Sequence, residues 1–151
     1  MADNGRRREG VSPKTDELAS TLMGDALDLM AAGSPVDVLL VVQDEKGAIA
    51  SYAFADDGAE ECLEAARDKV VAIDEAGWDE ASSLGRPQRY AIAYEGAVAA
   101  EDGAFEDALL LEFGERGWNA YSAFSLVEGK GAGDGFGWTD PAPAGELEPL
   151  L

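Results

Sequence analysis

Apolar residues recur at helical spacing in the first part of the chain. Leu18, Leu22, Ala26, Leu29 and Met30 share one stripe, with Met23 and Leu27 beside it, the pattern of an amphipathic helix with one face in a core. Ser12 is a capping residue, and Pro13 suits a first helical position. A helix is therefore predicted over 14–32, closed by Gly33, Ser34 and Pro35. The period then shortens to two. Residues 36–43 and 48–55 read as strands around the turn Asp44-Glu45-Lys46-Gly47. Ala50, Tyr52 and Phe54 fall on one face of the return strand, and Ile49, Ser51 and Ala53 on the other.

Asp57 and Glu60 have the spacing of a capping box. Leu63, Ala66, Val70 and Ile73 then form the buried stripe of a second helix reaching about Ala76, with Gly77 at its end. Residues 78–88 form a connection with room for a helical turn near 79–84. Alternation resumes at Arg89. A strand over 89–95 is interrupted by Gly96, read as a bulge, and continues over 98–100. A turn at 101–103 leads to a strand over 105–113, a turn at 114–117 and a last strand over 118–127. Helix, hairpin, helix and meander together predict an α+β fold, a mostly antiparallel sheet with two helices packed on one face. Its core would draw on Leu18, Leu22, Leu29, Leu39, Val41, Leu63, Val70, Ile92, Leu110 and Phe124. Residues 1–13 read as a mobile arm and 14–128 as one domain. The Gly/Pro-rich tail, 129–151, is apolar enough at Phe136, Trp138, Leu147, Leu150 and Leu151 to dock in part.

Charge changes the functional picture. Acidic side chains number 31 against 11 basic ones, a net charge of −20. Such a body repels nucleic acid and anionic membranes, so neither is expected as a partner. Arg6, Arg7 and Arg8 make the N-terminal arm locally basic, but three arginines give only a weak, salt-sensitive phosphate contact. No apolar run approaches the ~20 residues of a membrane helix. Cys62 is the one cysteine. A reduced thiol and a cytoplasmic location are the default expectation.

The chain contains no histidine, which removes Ser-His-Asp and Cys-His machinery and the usual zinc sites. Glycine occupies every odd position from 129 to 137, yet no G-x-G-x-x-G is present, and Gly131 follows Lys130 where a phosphate loop needs Ser or Thr. Asp44 and Asp140 start no calcium-loop pattern. No cofactor or metal is assigned. Glu60, Glu64 and Asp68 form a solvated acidic helix face, or a docking stripe for a basic partner. Cys62 reads as a small core filler.

The polar cluster in the second hairpin, Tyr94, Glu95, Asp107, Glu112, Glu115 and Arg116, is the candidate site. Glu112 and Glu115 could act as an acid–base pair. They bracket a turn, however, where Glu115 is expected to be wet and Arg116 paired locally. The segments RYAIAYEG (89–96) and DALLLEFGERG (107–117) resemble a pattern in small bacterial proteins of unknown function, a resemblance that implies no activity. Trp118, Phe136 and Trp138 are candidate anchors for self-association. The chain therefore reads as a cytoplasmic, non-catalytic binding or assembly module. A small carboxylate- and tyrosine-based enzyme or metal-ligand protein is one alternative, and an acidic mimic docking a basic partner is another.

Self-repulsion predicts that salt stabilises the protein. The melting temperature should rise between 0.01 M and 0.1 M salt, as the Debye length falls from ~30 Å to ~10 Å. A flat or falling curve would mean that local ion pairs outweigh the global field.

Overall fold

The computed structural model describes residues 7–55, 58–79, 83–99 and 101–151. Its elements are α1 (Pro13–Ala31), β1 (Val38–Asp44), β2 (Ile49–Phe54), α2 (Ala59–Ala76), β3 (Pro87–Ala99), β4 (Phe105–Glu115), β5 (Ala120–Glu128), β6 (Gly137–Trp138) and β7 (Ala142–Leu147). The strands form one antiparallel sheet in the order β2-β1-β3-β4-β5, with β6 and β7 sharing the far edge of β5. The fold is α+β, with the hairpin and meander that alternation predicts.

The helices do not share a face, and this corrects the expected packing. Alternate residues of a strand point to opposite sides of a sheet. Ala91 and Ala93 of β3 join the core beneath α1, with Leu18, Leu22, Ala26 and Met30. Tyr90 and Ile92 join a second core beneath α2, with Cys62, Ala66, Val70 and Ile73. The sheet is thus sandwiched, with one helix on each side. The stripe of α2 is turned slightly from the expected one: Cys62 is buried as a filler, whereas Leu63 is only half-buried. Leu29, Leu39 and Val41 are likewise partly covered.

Local chemistry explains the element ends. The Ser12 side chain accepts a hydrogen bond from the Thr15 N–H and caps α1. At the other end of α1, the Gly131 N–H donates to the Met30 carbonyl at 2.9 Å. A Cβ on Gly33 would stand 3.2 Å from the Gly131 Cα, so glycine is what lets these two backbones meet. The glycine-rich segment is a plug for the helix terminus. The residue preceding α2 is Gly58, which makes no side-chain cap; the expected cap, Asp57, lies outside the described residues.

One further expectation is revised. β3 and β4 pair in unbroken register from Arg89↔Glu115 to Ala99↔Phe105, so Gly96 is no bulge. It makes room, since a Cβ there would fall 2.4 Å from the Leu110 Cδ1. The middle of the connection where a helical turn is expected, 80–82, lies outside the described residues; at its ends Asp79 and Leu84 exchange backbone hydrogen bonds of 2.7 and 3.1 Å.

Segments near both ends of the described residues are tied to the sheet. Arg8 exchanges backbone bonds with Gly117 and Asn119 at 2.9 Å each, and residues 1–6 of the expected arm lie outside the described residues. The tail continues as β7 along β5, and Leu151, 8% exposed, enters the α2-side core. No helix among the described residues is long and apolar enough to cross a membrane.

Leu40 is fully buried beneath α2, at 0% exposure. Leu40→Ala should cost about 2–5 kcal/mol, and Leu63→Ala clearly less, by urea denaturation. Equal losses would place Leu63 in the core after all.

Candidate functional site

The polar cluster expected in the second hairpin is dispersed by strand alternation. Tyr94 and Glu112 face α2, while Glu95 and Glu115 face α1. Glu112 and Glu115 are an odd number of residues apart and so point to opposite sides of the sheet. They cannot form an acid–base pair. Asp107 is exposed on β4. Glu95 accepts from the Val36 N–H at 3.1 Å and pairs with Lys130 of the glycine-rich segment. Arg116 reaches out of the hairpin to Asp74 near the end of α2, and donates to the Pro87 carbonyl at 2.7 Å.

On the α2 side, Glu112 is buried. Its Oε1 accepts from the Arg67 Nε at 2.9 Å, and its Oε2 accepts from Arg67 and from the Tyr94 hydroxyl at 3.0 Å. Burial, then the charge of Glu112 and the hydrogen bond to it, raises Tyr94 well above the ordinary phenol value. Burial and the same charge push Tyr90 up to about 12, despite a hydrogen bond with the Leu150 backbone. Both phenols stay neutral at physiological pH and are poor bases. Beside them lies a cavity of about 340 Å³, between Arg67, Glu112 and the C-terminal residues Leu147 to Leu150.

On the α1 side, Glu115 is buried, not wet. Ser12 and Thr15, at the start of α1, donate to its Oε1, Thr15 at 2.7 Å. Gln88 and Arg89 donate to its Oε2 at 3.2 and 3.3 Å. Burial pushes its pKa up, but these side-chain hydrogen bonds outweigh burial and hold it below the ordinary value. Glu115 thus ties the capping residue Ser12, and Thr15 beside it, to the β3–β4 ladder.

One of these partners, Arg89, was within reach of the sequence. Reflecting the chain about a hairpin centred on Asp102 puts Arg89 opposite Glu115. Arg67, Ser12 and Thr15 had no such signal, because their partners come from helix packing across 45 to 103 residues of chain.

The three aromatic residues expected at an interface also separate. Trp118 is half-buried beneath the N-terminal segment, its ring centroid 5.4 Å from the Arg8 guanidinium, and its carbonyl accepts from Arg7 at 3.1 Å. Phe136 packs against the α1 core. Trp138 alone stays largely open, at 50% exposure.

The open surface lies at the other flank. α1 sits over Ala91, Ala93, Leu109 and Leu111 and leaves the same face of the first hairpin only partly covered. Leu39 and Val41 are half-buried there, Ile49 is 55% exposed, and Ser51 and Ala53 are exposed. Beyond them is an edge with no strand partner among the described residues, since β2 ends the sheet. The Asp44 N–H donates to the Ala48 carbonyl at 2.9 Å. With the observed register, this phase directs the N–H and C=O groups of Ala50, Tyr52 and Phe54 toward β1, and those of Ile49, Ser51 and Ala53 outward. Asp44 holds the turn: its carboxylate accepts from the Lys46, Ala48 and Gly85 N–H groups, each at 2.9 Å.

No protein-family model, no curated protein and no solved structure matches the chain.

Because Glu115 has a lowered folded-state pKa, its stabilisation is complete above the unfolded value near 4.5 and is lost as pH falls through the folded value. Glu115→Gln should flatten that acid-side loss of stability relative to the parent. Glu115→Ala leaves Arg89 buried without its carboxylate and should cost about 3–5 kcal/mol at neutral pH. Parallel pH curves for parent and Glu115→Gln would show that the carboxylate gains nothing from its donors.

Proposed function

We propose that this protein is a non-catalytic binding module that accepts an extended strand along β2. The observation that carries this reading is the open edge. The strand IASYAF has no charged residue, no proline and outward-pointing backbone groups at Ile49, Ser51 and Ala53. Isolated edges of this kind are normally blunted by lysine, proline or a covering segment. Here an apolar shelf, Leu39, Val41, Ile49 and Ala53, lies alongside. Strand addition draws affinity from main-chain hydrogen bonds and specificity from alternate side chains, and this surface offers both.

The carboxylates that would have served an enzyme support the same reading. Glu112 and Glu115 have their oxygens occupied by protein donors, and each joins a helix to the sheet. A reducing, cytoplasmic setting suits the buried Cys62 thiol. The acidic body disfavours nucleic acid and anionic membranes as partners.

Amide hydrogen exchange tests this. In dilute protein, the Ile49, Ser51 and Ala53 amides should exchange rapidly. Extended peptides selected from a displayed library should protect those three, and Ala53→Lys should abolish the protection. Selected peptides that instead protect residues around Arg67 and Leu150 would refute the reading.

A further inference from the structure

We infer that the strand accepted by β2 is the β2 of a second copy of this chain, paired antiparallel about a two-fold axis through Ser51; this rests on the strand-accepting reading above. The hydrogen-bond phase restricts the choice. Only Ile49, Ser51 and Ala53 present outward N–H and C=O groups. A two-fold axis normal to the sheet must pair residues of the same face. Centring it on Ser51 uses every outward group. Ser51 exchanges both bonds with its symmetry mate, and Ile49 exchanges both with Ala53 of the second copy, twice over.

The side chains suit that register. On the α1 side, the exposed Ile49 comes to lie against the small Ala53 of the other copy. On the α2 side, Tyr52 comes to lie against Ala50. Ile49 and Tyr52 each meet a small alanine, and the central Ser51 meets its own copy, so no two bulky side chains collide. The register centred on Tyr52 leaves Ile49 opposite Ala55, beyond the end of β2.

Charge points to the same surface. A body of −20 resists its own copy, so contact is cheapest where the surface is least negative. β2 carries no charge; Lys46 lies in the adjoining turn, and Lys69, its Nζ 5.1 Å from the Tyr52 ring centroid, offsets the Asp79 carboxylate that accepts from the Tyr52 hydroxyl at 2.6 Å. Association by this edge should therefore strengthen with salt, as repulsion between the bodies is screened. Pairing would join two sheets into one continuous sheet and cover the apolar shelf beside each α1.

Light scattering after size exclusion at moderate salt should give twice the chain mass at high micromolar concentration, with a smaller dimer fraction at 0.01 M salt. Ser51→Pro removes one outward donor at an edge position that tolerates proline, and should give the monomer mass with an unchanged circular-dichroism spectrum. Ser51→Cys reports the register directly. Its symmetry mates would be about 5.5 Å apart, so a short bis-maleimide should join them. Ile49→Cys mates would stand roughly 13 Å apart along the strands and should not be joined. Buried Cys62 keeps the parent unlinked. A monomer at all concentrations overturns the inference, as does a dimer that persists in Ser51→Pro. Cross-linking of Tyr52→Cys in preference to Ser51→Cys overturns the register. A monomer whose edge amides are still protected by library peptides sinks self-pairing alone and leaves the strand-accepting reading standing.

Discussion

β3 is buried on both faces, and the rest of the molecule is arranged to satisfy it. Tyr90, Ala91, Ile92 and Ala93 are almost wholly excluded from water, so this strand needs a cover on each side. The two sides differ in relief. Ala91 and Ala93 are small and let α1 lie close, whereas Tyr90 and Ile92 are large and fill the space beneath α2. A single helical layer would leave one of these pairs in solvent, at about 25 cal/mol per Å² of apolar area.

Each helix covers only part of its face. α1 lies over β3 and β4, and α2 over β1, β2 and β3. Two half-faces are left over. The one over β4, on the α2 side, receives the C-terminal residues, with Leu150 and Leu151 packed into the second core. The diagonal counterpart over β1 and β2, on the α1 side, is only partly covered among the described residues, with Leu39 and Val41 half-buried and Ile49, Ser51 and Ala53 exposed. It coincides with the β2 edge, whose strand carries no charged residue. The functional argument rests on that asymmetry.

The basic residues are few, and the fold spends many of them on carboxylates inside it. Arg67 with Glu112, Arg89 with Glu115, Arg116 with Asp74 and Lys130 with Glu95 each join separate elements. Arg89–Glu115 is buried, where desolvation offsets attraction, and the other pairs are partly exposed, where solvent screens them, so their net contribution to stability is small. Their effect is on geometry. Glu115 ties the cap of α1 to the ladder, and Glu112 ties α2 to the same strand from the other side. Acidic side chains outnumber basic ones 31 to 11, so pairing on this scale still leaves the chain strongly negative.

The element order as far as β5, both hairpins, the limits of α1 to within a residue, and the α+β class were legible in the chain, because helix stripes, strand alternation and Gly/Pro punctuation are local signals, whereas the tail strands β6 and β7 were not. Gly96 was misread for the same reason: a local signal cannot distinguish a bulge from a space made for Leu110 on the neighbouring strand. The glycine-rich segment looked like a loop, since nothing local announces that Gly131 will meet Gly33. The dispersal of the polar cluster was half legible. Parity alone separates Glu112 from Glu115, but which helix each would face depends on packing. What the amino-acid order determines by itself is the periodicity of each segment and the charge it carries. Which side of the sheet each helix takes, which carboxylate meets which guanidinium, and which edge is left bare are decided only when distant segments compete for the same buried surface.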